Sequence, residues 1–213
     1  NSGLSADDPW RTIAKAVTVC DMSQNEVTIN LAPGTYSKST SGEPFPISVR
    51  SNMTLRGNGS DTILDAENSS RIVSYRGGNS QSEINMENLV FTRGRAVNGG
   101  GIKLNGGNFN LMGVSITDCH AIFHGGGVMC QSGTLNADNC KFENNSALLS
   151  GGGCSSESAG HHAISHSTFV GNTSLYGGGI YSSWHDYDLF DCRINGNSAV
   201  YGGGLFVMWS EPG

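Results

Sequence analysis

Five glycine triplets recur along the chain, beginning at Gly99, Gly125, Gly151, Gly177 and Gly202, so their starts lie 26, 26, 26 and 25 residues apart. A fixed period in this range marks a stacked-repeat architecture. The triplets hold 15 of the 31 glycines, and that abundance alone would describe a flexible linker. A linker has no reason to keep register, so the spacing decides the reading.

The residues around the triplets repeat as well. An apolar position follows each one, at Ile102, Val128, Cys154, Ile180 and Leu205, and Leu104, Cys130, Ser156, Ser182 and Val207 stand two places later. Before the triplets come Phe91, Ile116, Phe142, Phe169 and Ile194, and two places earlier Leu89, Val114, Cys140, Ser167 and Cys192. Two more columns run Ile84, Phe109, Leu135, His162, Tyr187 and Met86, Leu111, Ala137, Ile164, Leu189. Each repeat is three short stretches of period two separated by bends, which is strand geometry. Chains of this kind coil, with equivalent residues stacked roughly 4.8 Å apart. The expected fold is all-β, a right-handed single-stranded parallel β-helix, its hand taken from parallel crossovers in general.

At the bends, positive φ and close backbone approach recur at one place in every rung, and glycine permits both. Asn145, Asn172 and Asn197 recur three residues after the large apolar position, where stacked amides can hydrogen-bond along the axis. Gly94 and Cys119 hold that place in the first two rungs, so the ladder should be partial.

The pairs FENN with GGGC, FVGN with GGGI and INGN with GGGL resemble the FxxN and GGA(I/L/V) repeats of polymorphic outer membrane proteins. This chain has a third glycine where that family has alanine, and Ile116 and Ile194 where it has phenylalanine. The resemblance covers about residues 84–213. It implies a secreted or surface-displayed adhesin-like or structural β-helix. DPWRTIAKAV, VTINLAPGTY and MTLRGNGSDTILDA resemble the opening of pectin-lyase-like β-helices, a marker of fold shared by enzymes and non-enzymes.

The 213 residues suffice for one substantial domain, 1–213. Residues 5–20 are expected to form a capping helix, with Asp8 as cap, Pro9 in the first turn and Trp10, Ile13, Ala14 and Val17 on one face. It would cover the open end of the core. Residues 27–83 are expected as irregular early rungs and 84–213 as regular rungs of about 26 residues. The last rung reaches Val207 with no polar cap after it, so the parent chain is expected to continue past Gly213. Charged residues make up 14% and the net charge is −6, which argues against nucleic acid, and no apolar run approaches a membrane span.

Six cysteines raise the question of disulfides. Cys140 and Cys192 share a column but lie two rungs apart, roughly 9.6 Å, beyond the usual reach of a disulfide. Free, buried cysteine is the expectation, and no CxxC pattern points to a metal. N-glycosylation sequons occur at Asn52, Asn58, Asn68, Asn144 and Asn172. The first four are candidates for glycans; Asn172 should be enclosed by the ladder.

Titratable groups gather only where His166 stacks beside Asp191 and His161 beside Asp186, with His185, Asp188 and Arg193 near. A His–carboxylate pair can move protons, and the same pairs also serve as ion pairs between rungs. If the chain is an enzyme, His166 and Asp191 are its catalytic candidates. Neither clustered calcium-binding carboxylates nor paired aspartates of a polyuronate enzyme are recognisable. One outward column runs Lys103, Met129, Ser155, Tyr181, Phe206, of which Met129, Tyr181 and Phe206 are expected to form a partner or sugar-stacking surface. The expectation is a non-catalytic extracellular or cell-surface β-helix: a spacer, adhesion module or assembly subunit. It would need no cofactor or metal, and its partner would be a protein or glycan at the cell surface or another copy of itself. The alternative is a fragment of a polysaccharide lyase or glycoside hydrolase.

Overall fold

The computed structural model describes residues 3, 5, 7–20, 26–77, 82–157, 161–183 and 187–208. They form a parallel β-solenoid preceded by one short helix. Three sheets run along the axis, with 12, seven and five strands. The second sheet takes one strand from each turn: Gly34–Ser37, Thr62–Asp65, Val90–Thr92, Ser115–Thr117, Lys141–Glu143, Thr168–Val170 and Arg193–Asn195. The third stacks Arg95–Asn98, His120–His124, Ser146–Ala147, Thr173–Tyr176 and Ser198–Tyr201. In the first sheet, Ile102–Met112 and Val128–Asp138 are single strands wide enough to span both of its arms.

The inward columns follow the periodicity. Phe91 pairs in register with Ile116, Ile116 with Phe142, Phe142 with Phe169 and Phe169 with Ile194. Phe142 and Phe169 stack with ring centroids 4.3 Å apart. The same column continues back through Leu64 to Tyr36, and Ile102 continues back through Val73 to Ile47. The strands before residue 84 therefore share the columns of the later rungs. Their departures lie in the connections, which include the turn of 3-10 helix Gly59–Asp61.

Three corners recur, and each has a left-handed residue. Asn88, Gly113, Asn139, His166 and Asp191 occupy the first; Arg93, Asp118, Asn144, Gly171 and Gly196 the second; the first glycine of every triplet the third. Only the third is closed to side chains. A Cβ on Gly127 would lie 2.5 Å from Gly153 O, and one on Gly153 2.6 Å from Gly179 O. Backbone stacks on backbone there, as the bonds from Gly127 N to Gly152 O (3.0 Å) and from Cys154 N to Gly179 O (2.9 Å) require.

The asparagine ladder is present and buried. Asn172 Oδ1 accepts from Asn145 N and Asn145 Nδ2, both at 3.0 Å, while Asn172 Nδ2 donates to Phe142 O at 2.8 Å. Asn197 repeats this one rung on, and Asn145 Oδ1 accepts from Cys119 N, where the ladder stops. Every polar atom of the Asn172 amide has a partner in a site closed to water, which is the condition for burying an amide without penalty.

The capping helix is shorter than expected. It runs Ile13–Cys20, with Ile13, Ala16 and Val17 buried, and Asp8 and Pro9 lie before it. Its N-terminus is capped from elsewhere. The buried Glu43 carboxylate accepts from Ile13 N (2.7 Å) and Ala14 N (2.8 Å), and Thr12 Oγ1 accepts from Lys15 N (3.3 Å). A carboxylate at this position satisfies orphan donors and sits at the positive end of the helix. That contact lies 30 residues away in sequence, beyond the reach of local capping rules.

None of the six cysteines forms a disulfide. Burial pushes the thiols of Cys119, Cys130, Cys140 and Cys154 up to about 12, whereas Cys20 and Cys192 are only partly covered. Alkylation of the native protein without reductant should therefore label Cys20 and Cys192 and spare the other four until urea is added. Early labelling of Cys140 or Cys154 would contradict this packing. Asn172→Ala should cost about 2–4 kcal/mol in urea denaturation, because it orphans Asn145 N–H and Phe142 C=O. Asn197→Ala, at a half-exposed rung, should cost clearly less; equal costs would contradict the dependence on burial.

Candidate functional site

The first sheet presents a polar outer face. Alternation along Ile102–Met112 and Val128–Asp138 turns Asn108, Asn110, Thr134, Asn136 and Asp138 away from the core. Strand pairing sets Asn85, Asn110 and Asn136 in one line and Glu83, Asn108 and Thr134 in the next. Their side chains bond across the rungs. Asn108 Nδ2 and Asn110 Nδ2 donate to the two oxygens of Glu83 at 2.9 and 2.7 Å, and Asn110 Nδ2 also reaches Asn85 Oδ1 at 2.8 Å. Asn136 Nδ2 donates to Asn110 Oδ1 at 2.9 Å, and Thr134 Oγ1 to Asn108 Oδ1 at 2.7 Å. These bonds hold a grid of amides and hydroxyls in fixed rotamers.

A histidine–carboxylate pair stands at the far side of this face. His166 Nδ1 lies 2.8 Å from Asp138 Oδ1, which also accepts from Ser165 Oγ at 2.6 Å. An ionised carboxylate has no proton to give, so Nδ1–H is the donor. That bond is the main cause raising the His166 pKa above the ordinary histidine value, and the same bond is the largest cause lowering Asp138. Asp191 holds the corner position next to His166 in the stack, as expected, but acts on the ring only through space. The partner of His166 is thus Asp138 on the preceding rung. The left-handed backbone at residue 166 turns the ring back along the axis. His161 Nε2 meets Asp188 Oδ2 at 2.7 Å, while Asp186 and His185 lie outside the described residues. Both histidines are more than half exposed or close to it, at 58% and 50% of their side-chain surface, so these are solvated pairs.

The expected outward surface at Met129, Tyr181 and Phe206 does not hold at its first two members, and Phe206 is half-buried. Met129 and Tyr181 are buried, with 1% and 8% of their surface exposed. The chain covers its own column. Ser150 and Tyr176, each just before a triplet, turn toward side chains that stand just after one. Ser150 Oγ lies 3.1 Å from Ser155 Oγ, and Tyr176 packs on Phe206 with centroids 5.3 Å apart. Tyr176 stacks on Tyr201 at 5.0 Å and Tyr181 on Phe206 at 5.9 Å, forming an aromatic seam. Farther along it, His124 Nδ1 stands 2.8 Å from Ser150 Oγ and 3.1 Å from Glu157 Oε1. Serine and acid share one ring nitrogen, whereas a nucleophile triad needs them on opposite nitrogens. The seam is packing.

A surface outside the expected set lies on the third sheet. Val97, Ile122, Phe123, Leu148, Leu149 and Val200 are exposed. The sequence carries the signal, since an apolar residue stands two or three places before each triplet in AVNGGG, AIFHGGG, ALLSGGG and AVYGGG. Of the sequon asparagines, Asn52, Asn58, Asn68 and Asn144 are exposed and Asn172 is fully buried.

A family described as "Protein of unknown function (DUF1565)" matches residues 1–196. The chain belongs to the DUF1565 family. No curated protein and no solved structure matches it. Among the described residues of this DUF1565 chain, no group of three His, Cys, Asp or Glu is placed to hold a metal ion, and no helix is long and apolar enough to cross a membrane.

The His166–Asp138 pair has a measurable signature. In an NMR titration, His166 should keep its proton to higher pH than an ordinary histidine, and Asp138→Asn should bring its midpoint down. The raised histidine makes the pair's contribution full at mildly acidic pH and lost as pH rises through the folded-state midpoint; the lowered carboxylate makes it fail again in strong acid. A midpoint unmoved by Asp138→Asn would show that the contact is not made in solution.

Proposed function

We propose that this chain is a non-catalytic extracellular or cell-surface β-helix, a rigid adhesion module whose polar outer face contacts a glycan. The observation that carries the reading is the grid around Glu83, Asn110 and Asn136, an array of amides and hydroxyls already locked by mutual hydrogen bonds. A surface ordered in advance loses little rotamer entropy on binding, and repeated donors one rung apart suit a hydroxyl-rich polymer. Four exposed sequons fit a secreted protein. The likeness of the repeats to polymorphic outer membrane proteins points the same way, whereas that of the opening rungs to pectin-lyase-like β-helices speaks only to the fold. A solenoid of stacked rungs is also a spacer by construction.

A second reading is favoured by one cluster. Ser165, Asp138 and His166 stand together on the same face, and a histidine beside a carboxylate is an acid–base device. In that case the chain cleaves the polysaccharide instead of holding it.

One set of experiments separates these. Affinity electrophoresis through neutral and acidic polysaccharides should retard the chain in at least one gel. Asn110→Ala should weaken that binding roughly fivefold, the equivalent of one hydrogen bond of about 1 kcal/mol. Neither unsaturated products nor new reducing ends should form. Passage through every gel without retardation sinks the glycan reading. Product formation that vanishes in both His166→Ala and Asp138→Asn establishes the enzyme. Expression in a eukaryotic secretory pathway should place glycans on some of Asn52, Asn58, Asn68 and Asn144 and never on Asn172.

A further inference from the structure

The third sheet differs from the rest of the surface in two ways. Four of its five rungs expose a large apolar side chain, with Val97 52%, Phe123 44%, Leu148 61% and Val200 69% exposed. Its five strands also contain no aspartate or glutamate, in a chain that carries 18 acidic residues and a net charge of −6. A contiguous apolar stripe on a soluble surface marks an interaction site. The charge pattern narrows the occupant. Two copies of an acidic chain repel unless they meet on a face without carboxylates, and this face has none on its strands.

We propose that the stripe is a self-association face on which two copies pack antiparallel. The arrangement of charge selects that direction. Arg95 begins the first strand of the sheet, whereas Ser198 begins the last. A parallel pairing would set Arg95 against Arg95. The antiparallel pairing sets it against the uncharged Ser198 end and brings the middle rung, with Leu148, onto the two-fold axis. Such an interface is isologous and closes at two copies. Its size limits its strength. Five strands about 4.8 Å apart and four residues long give a footprint of roughly 300 Å² per copy, below the roughly 800 Å² of a standard stable interface. The dimer is therefore reversible. The polar face of the first sheet takes no part in it, so the two proposals stand or fall separately.

Sedimentation velocity on the full chain, from low micromolar to near-millimolar concentration, should show the mass rising from monomer toward dimer. Leu148→Glu should hold it at monomer across the range with an unchanged thermal melt, since Leu148 is mostly exposed and lies outside the core cluster. Orientation is read by crosslinking in a Cys20→Ser, Cys192→Ser background. Leu148→Cys should form a disulfide-linked dimer on mild oxidation. Val97→Cys should crosslink to Val200→Cys in a mixture and not to itself. Monomer at every concentration, or a dimer that survives Leu148→Glu, overturns the proposal. Self-crosslinking of Val97→Cys overturns the antiparallel arrangement. A chain that stays monomeric but binds an apolar peptide through Leu148 assigns the stripe to a foreign partner instead.

Discussion

Backbone-on-backbone contact at the glycine triplets is the constraint on which the rest of this molecule depends. The third glycine of one rung sits so close to the carbonyl of the next that a single methyl group has no room, as Gly127 against Gly153 O illustrates. Because that contact recurs at one place per rung, it sets the register of everything attached to it. The first sheet begins immediately after the triplet and the third sheet ends immediately before it. The hinge at the triplet also folds the two flanking columns face to face, which turns Met129 and Tyr181 from surface residues into packing. Sterics at three atoms thus decide which side chains the solvent meets.

The other two corners show how much looser the demand becomes when the neighbouring rung stands off. They too use left-handed backbone, yet they accept Asn, Asp, Arg and His. That tolerance lets functional groups occupy them. His166 sits at such a corner, and the same φ that a glycine would adopt there aims its ring at Asp138. A corner column is thus both a structural position and a place to mount chemistry, at the modest cost of holding a non-glycine residue in this region.

Most of the solenoid was legible in the sequence because period-two alternation and a fixed repeat leave few choices. The stack from Phe91 to Ile194 and the asparagine ladder follow from spacing alone. Three features were not. The cap on Ile13–Cys20 depends on Glu43, whose relation to the helix exists only once the chain has coiled. The partner of His166 lies on the rung before it and not after, since column arithmetic locates Cα atoms and not the direction of a ring. The Met129–Tyr181 column reads as outward when alternation is carried past the triplet as if the surface were convex, whereas the corner there is re-entrant. The third-sheet stripe was visible in AIFH and ALLS but gained meaning only when its residues proved uncovered.

The asparagine ladder has a direction. Each side chain completes the rung before its own: Asn172 supplies the acceptor for Asn145 N–H and the donor for Phe142 C=O, and Asn197 does the same for Asn172 N–H and Phe169 C=O. The corners at Cys119, Asn145 and Asn172 cannot be finished by residues of their own rung. During synthesis the N-terminal rungs emerge first, so each corner waits with an open hydrogen-bond pair until the following 25 to 27 residues have left the ribosome. Along the ladder, assembly is then a ratchet, in which each added coil locks its predecessor and inherits the unfinished edge.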